Sequence, residues 1–317
     1  MNKFFTLHSV ATGVWAAIVI PGSGALGNAA IVDLGDFTVV VDTFSLPEAA
    51  QILRETAGQL TGKPVKYIVN THFHGDHHYG NQVFEDSQII TTDLTREILT
   101  KEGPPEVEVW QNGLQKQIAV LSKGMHAAQD IRLQTAFANE IADKAALLAA
   151  VPAIRRRTAA LTFSDKLMIH GTVRSLTLLT FGGGHTDSDA FVYIEDAKVL
   201  IAGDLVLSKS HPAMLSGFPA AWIEILQRIG QELEFSLVIP GHGEVTDRSS
   251  IGEMISYLTE IQIYAEQAAA SGESADSWMA RGIPVPFAEW QMSHVFEWNF
   301  RWLFKQYVNE KRGESDD

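Results

Sequence analysis

Thr71-His72-Phe73-His74-Gly75-Asp76-His77 decides how this chain is read. It follows Val65–Val69, a short β-branched run that predicts a buried strand leading straight into Asn70-Thr71-His72. Four metal-ligating side chains thus fall within six positions at a strand exit. With 11 His and 38 acidic residues in 317, the pattern His-x-His-x-acid-His arises by chance in roughly one such chain in a thousand. Imidazole suits zinc and similar borderline cations, and a carboxylate adds a harder oxygen. Gly75 lets the backbone turn so that alternate side chains converge. Without a cation, clustered histidines would suffer desolvation and mutual repulsion.

Three more sites share this character. Phe181-Gly182-Gly183-Gly184-His185-Thr186 ends a predicted strand, and its glycines free the backbone to aim His185. Gly203-Asp204 follows the strand Lys198–Ala202, and Pro240-Gly241-His242-Gly243 follows Leu237–Ile239. Singly each is a turn signal. Together with the first motif they place five His and two Asp at strand ends, along one edge of a sandwich.

The rest of the chain has the pattern of a layered α+β protein. Val10–Ile20 reads as a strand. Ala29–Leu34 and Thr38–Asp42 flank the hairpin signal Gly35-Asp36, Leu46–Leu60 is a helix closed by Gly62, and Gln88–Thr92 is a strand with a helix to Lys101. Gly103-Pro104-Pro105 breaks the chain, and Val107–Leu121 and His126–Ala150 form a helical insertion over about 103–160, covering the site's mouth, making a subunit contact or only packing on the surface. Strands resume at Val173–Phe181, Ala190–Ile194 and Lys198–Ala202. Helices Phe218–Leu233 and Ile251–Ala270 follow, and the aromatic helix over about 285–310 is expected to serve the core or a dimer interface.

Composition narrows the function. The chain has no cysteine, which excludes disulfides, a thiol nucleophile and thiolate ligands. Twenty-four basic against 38 acidic residues give a formal charge of −14, an unfavourable field for nucleic acid or anionic membrane. The basic cluster Arg155-Arg156-Arg157 reads as a solvated helix end rather than a phosphate site. No stretch has the ~18 uninterrupted apolar residues of a membrane span. Lys3 and the following apolar run suggest a leader, but His8, Ser9 and Thr12 interrupt it, so the expectation is a cytoplasmic protein. Residues 1–317 are expected to form a single domain, as monomer or homodimer.

From Gly22-Ser23-Gly24 through Pro240-Gly241-His242-Gly243 the sequence resembles the metallo-β-lactamase superfamily. The resemblance implies a four-layer αββα sandwich and two divalent metal ions, zinc first, with iron or manganese as alternatives. His72, His74 and His185 would hold one, Asp76, His77 and His242 the other, and Asp204 would bridge them. Classical zinc β-lactamases of two subclasses place a cysteine where Asp204 stands, and the third lacks a metal-binding carboxylate there. Asp204, with Phe218-Pro219 and Trp222 beyond it, is similar to the glyoxalase II, lactonase and general hydrolase branches.

Two such cations lower the pKa of a shared water from 15.7 towards ~7. The implied activity is therefore hydrolysis of a small ester, thioester, lactone or cyclic amide, β-lactams included. Asp76 would be catalytic besides ligating, orienting the nucleophile and passing its proton on. Phosphodiester cleavage and iron-dependent oxygen chemistry are the rival activities, and a non-catalytic binding protein is the rival class. Asp42 either accepts a hydrogen bond from a ligand imidazole or only forms a turn with Thr43. Thr186 and Asp189 are expected to brace His185. Lys209 and His211 either hold a substrate carboxylate or oxyanion or are surface loop residues, and Tyr79 is expected to pack.

Overall fold

β-Branched runs pair into two sheets, and each sheet buries both faces. In the first, β1 (Phe5–Ala11), β2 (Val14–Val19), β3 (Ala29–Asp33), β4 (Thr38–Val41), β5 (Val65–Val69), β6 (Gln88–Thr92) and β7 (Leu161–Phe163) lie in sequence order. β1 to β4 pair antiparallel, and β4 to β7 pair parallel. The second sheet has β8 (Lys166–His170), β9 (Ser175–Thr180), β10 (Ala190–Ile194), β11 (Val199–Leu207), β12 (Leu237–His242) and β13 (Thr246–Asp247) in reverse order, with β11 and β12 parallel. The computed structural model describes residues 2–102 and 106–312. The break at Gly103-Pro104-Pro105 and the acidic tail Glu314–Asp317 lie outside the described residues.

Between the sheets, Val39, Val41 and Val69 of the first meet Leu178, Val192 and Ile201 of the second. The first sheet's outer face packs Ile31, Val40 and Ile68 on α1 (Pro47–Thr61), α4 (Val107–Ala127) and α5 (Ile131–Ala150) through Leu53, Leu114 and Leu147. The second sheet's outer face packs Leu200 and Val238 against α6 (Pro219–Glu232), α7 (Ser249–Ser271) and α9 (Ser293–Arg312), where Trp222, Tyr257 and Phe296 are buried. Two sheets between two helical layers make the αββα sandwich. α2 (Gly75–His78), α3 (Asp93–Glu102) and α8 (Ala275–Met279) complete the α-helices among the described residues.

Several element boundaries differ from expectation, each for a local reason. The strand expected at Val10–Ile20 is a hairpin, because Gly13 turns the chain at φ 73° between β1 and β2. β11 does not stop at Ala202: Gly203 adopts φ 53°, the register slips against β12, and the strand continues to Leu207 with Asp204 inside it. The aromatic helix begins at Ser293, after Met292 in a left-handed conformation (φ 58°), so Phe287 and Trp290 lie on its approach. Within the expected insertion, α4 runs on to Ala127 and α5 begins at Ile131 with Asp130 as its cap.

Candidate metal centre

The two motifs nearest the sandwich edge owe their geometry to chain reversals at strand exits. After β5, Asn70 N still donates across the sheet to Ile90 O (2.9 Å), and the chain leaves at Thr71. α2 is one turn of helix where the sequence suggested a loop, and it brings Asp76 and His77 back under His72 and His74. Gly75 is required there: a Cβ would lie 2.0 Å from the Tyr79 ring carbons. Tyr79 packs on that glycine and on Trp110 (4.9 Å between rings), as expected of a packing residue.

All seven expected ligands come together. The ligand atoms of His72, His74, His185 and Asp204 lie within 4.8 Å of one another, and so do those of Asp76, His77 and His242. Asp204 faces both groups: Oδ2 lies 3.3 Å from His185 Nε2 and 3.3 Å from His242 Nε2, and Oδ1 lies 3.2 Å from His77 Nε2. Asp76 Oδ2 is 3.3 Å from His242 Nε2 and 3.5 Å from His77 Nε2. Gly241 makes room for Asp204, since a Cβ there would lie 1.8 Å from Oδ1.

The donor set fits cations. His72 Nε2, His77 Nε2, His185 Nδ1 and Asp204 Oδ1 are buried without a hydrogen-bond partner. Such orphans are costly in a protein interior unless something else satisfies them. Three of them, His72 Nε2, His77 Nε2 and Asp204 Oδ1, face one cluster, and nitrogen with carboxylate oxygen matches the preferences of borderline divalent ions.

Without a cation the charges divide unevenly. Burial pushes His72 well down, helped by neighbouring His77, and pushes His185 down to about 3. Burial acts the same way on His77 and His242, but the surrounding carboxylates outweigh it. Asp204, Asp76 and Asp42 hold His77 well above the imidazole range, and Asp204 with Asp76 raises His242 to about 10. Conversely, burial would raise Asp204, yet His242, His77 and His185 hold it well below the carboxylate range. The carboxylates thus favour positive charge on that side of the cluster.

Asp42 makes the bond offered as one of its two readings. It sits just past β4 in a left-handed conformation (φ 59°), uncommon for a residue with a side chain. Its Oδ2 lies 2.8 Å from His77 Nδ1 and accepts from Thr71 Oγ1 at 2.8 Å, while Oδ1 accepts from Thr71 N at 2.9 Å. Those three bonds offset the backbone strain and leave Nε2 of His77 to face the cluster. Asp189 braces the His185 loop in a similar way. It accepts from Gly184 N (2.8 Å), Thr186 N (3.0 Å) and Thr186 Oγ1 (2.7 Å), and burial raises its carboxyl to about 7.

Lys209 and His211, offered as substrate-holding or surface loop residues, both have partners on other elements. Lys209 Nζ is 2.7 Å from both Glu253 carboxylate oxygens on α7. His211 is buried between Tyr257, Trp290 and Phe296, its Nδ1 3.1 Å from Tyr257 Oη.

One network escaped sequence reading. Asn70 Nδ2 (3.1 Å) and Thr43 N (3.0 Å) donate to His77 O, and the Asn70 and Asn81 side chains exchange hydrogen bonds at 3.1 and 2.8 Å. Asn81 Nδ2 also donates to Arg157 O at 3.1 Å. Arg157 in turn donates to the carbonyls of Phe84, Glu85 and Ser87, and Arg155 N donates to Gln82 Oε1 at 2.6 Å. Arg155 is exposed just past a helical turn, as expected of a solvated end, but its backbone and the half-buried Arg157 also stitch the insertion's exit to the segment that follows the metal-ligand motif. The signal was the pair Asn70 and Asn81 flanking that motif.

A sequence profile of the metallo-beta-lactamase superfamily matches residues 22–264. The chain belongs to that superfamily. It is similar to the linear primary-alkylsulfatase of Pseudomonas sp. (strain ATCC 19151), with 24% identity over 262 residues. That match takes in 77% of this chain, but the chain spans only 46% of the sulfatase. Among solved structures it is similar to a metallo-beta-lactamase from Pontibacter korlensis, with a TM-score of 0.59 at 20% identity over 80% of this chain and 99% of that one. VMB-1 aligns with a TM-score of 0.58 at 18% identity, over 82% of this chain and 99% of the other. At these identities the structural likeness speaks for the fold. Among the described residues no helix is long and apolar enough to cross a membrane.

Proposed function

We propose that this protein is a hydrolase dependent on two divalent metal ions, zinc foremost, that cleaves a small ester, thioester, lactone or cyclic amide. The observation that carries the reading is the convergence of seven His and Asp side chains into two groups that share Asp204. His72, His74 and His185 would hold one ion, Asp76, His77 and His242 the other, with Asp204 between them. Bound there, the ions would supply Lewis acidity and lower the pKa of a coordinated water.

The remaining work falls to the chain. Asp42 holds His77 in the tautomer with its proton on Nδ1, leaving Nε2 a lone pair for ligation. Asp189 fixes the turn that presents His185. Asp76 turns Oδ2 towards His77 and His242. Its Oδ1 is our candidate to orient the attacking water, take its proton and deliver it to the leaving group. Trp222 packs 5.2 Å from the His185 ring and donates from Nε1 to Leu205 O, walling the site with apolar surface.

Sulfate-ester cleavage is the second reading, and the likeness to the alkylsulfatase supports it. The test is metal analysis followed by turnover on metal-reconstituted protein. A lactone, a thioester, a β-lactam, a phosphodiester and an alkyl sulfate make up the panel. Carbonyl substrates turned over by zinc protein are the expected result. Iron content with oxygen consumption would replace hydrolysis by oxygen chemistry, and protein that takes up no metal would leave a binding role.

A further inference from the structure

A cavity of about 270 Å³ opens at His242 and Gly243. Helix α5 of the insertion forms one wall, and the 19–26 segment and Gln291-Met292 supply others. Away from His242 its charges are arranged against anions. Arg132 is the one Lys or Arg among its lining residues, and its guanidinium is 3.0 Å from Asp130 and 3.0 Å from Glu289. Three carboxylates, Glu140, Asp143 and Glu244, also line it. Glu140 lies 3.0 Å from His294 of α9, and Asp143 accepts from Gly24 N (2.6 Å) and Gly22 N (3.2 Å), so both latch α5 in place. Glu244 is exposed and has no ion pair among the described residues. The remaining surface is Ile20, Leu26 and Met292 with the uncharged groups of Asn139, Ser210 and Gln291.

We propose that this cavity receives the acyl side of the substrate and selects an uncharged ester or lactone over one bearing a carboxylate or sulfate. The proposal rests on the hydrolase reading above and names its substrate class. An anion entering beside His242 would meet a cation already paired on both sides and an unanswered carboxylate at Glu244. A neutral chain meets apolar walls and neutral hydrogen-bonding groups. The selection is repulsive as much as attractive. It also separates this chain's chemistry from that of a relative named for alkyl sulfates.

The experiment compares 4-nitrophenyl hexanoate with mono-4-nitrophenyl adipate, esters of one acyl length that differ by a terminal carboxylate, on metal-loaded wild type and Glu244→Lys. The unreactive anilides of the same two acids are titrated calorimetrically against both proteins. Wild type is expected to favour the neutral ester in kcat/KM by about tenfold or more, and Glu244→Lys to narrow that ratio by about tenfold, the scale of one partly solvated charge contact. The anilides should show the same narrowing, which separates selection in binding from any effect on turnover. Preference of wild type for the adipate, or an unchanged ratio in Glu244→Lys, overturns the proposal. If neither ester turns over but the anilides show the preference and its narrowing, the hydrolase reading fails and the cavity assignment stands. Anilides bound without preference sink the assignment itself.

Discussion

Replacing Asp42 by Asn tests whether the residue behind the ligands governs the cations they hold. The two side chains have the same shape, so packing is preserved, but the three hydrogen bonds cannot all survive. If the amide oxygen keeps the place of Oδ1 on Thr71 N, the amide nitrogen takes the place of Oδ2, opposite Thr71 Oγ1 and His77 Nδ1, which it now faces as a donor. His77 would answer by moving its proton to Nε2, the nitrogen aimed at Asp76 and Asp204. An Nε2–H cannot ligate. Loss of such a partner costs about 10- to 100-fold in metal affinity, or about 1.4–2.7 kcal/mol. Competition against a fluorescent zinc chelator measures it, with circular dichroism as the control for folding. Folded Asp42→Asn protein that binds zinc within twofold of wild type would refute the tautomer argument.

Three further outcomes follow from the same structure. His72→Ala and Asp76→Ala should each lose turnover while keeping the circular dichroism spectrum of the wild type, and wild-type-like turnover in either would contradict the site assignment. Gly241→Ala must displace the Asp204 carboxylate by at least about 1 Å, a misplacement that typically costs about 100-fold in rate. The steady-state rate constants would show it, and Gly252→Ala, where a Cβ meets nothing, is the control. Burial raises the Asp143 carboxyl from 3.8 to about 6 against the opposing Gly24 and Gly22 amides. The folded chain therefore binds that proton more tightly than the unfolded one, and this contribution to stability, fully present below about pH 4, is lost as pH rises through 6. Two units correspond to about 3 kcal/mol. Denaturant titrations from pH 4 to 7 should show a steeper fall for wild type than for Asp143→Asn.

The sequence reveals the chemistry of the site more completely than its surroundings. Ligands carry a local signature, because histidines and aspartates must stand at chain reversals, and glycines such as Gly75 and Gly241 mark where backbone or carboxylate needs room. Strand Val65–Val69 and the helix after Pro47 are legible from apolar pattern and punctuation. Asp204 is recognisable as a ligand although its setting is not: Gly203 looks like a strand end, yet its left-handed backbone is a bulge that a neighbouring parallel strand accommodates. Strand β7 is short and owes its pairing to β6, distant in sequence, whereas β8 is an edge strand that pairs with its sequence neighbour β9. The role of α5 is equally hidden, since nothing local tells Asp143 that its partners are the amides of Gly22 and Gly24, more than a hundred residues earlier.

The stitching between Arg157, Arg155 and the segment from Asn81 to Ser87 has an evolutionary consequence. The segment whose Asn81 braces Asn70, a donor to the backbone of His77, also fastens the exit of the α4–α5 hairpin. A graft that swaps this hairpin for a relative's would have to bring its own 81–87 counterpart, or the brace that Asn81 gives Asn70 behind His77 would loosen. Changing side chains along α5 leaves that brace intact, so it disturbs the site less than exchanging the hairpin whole.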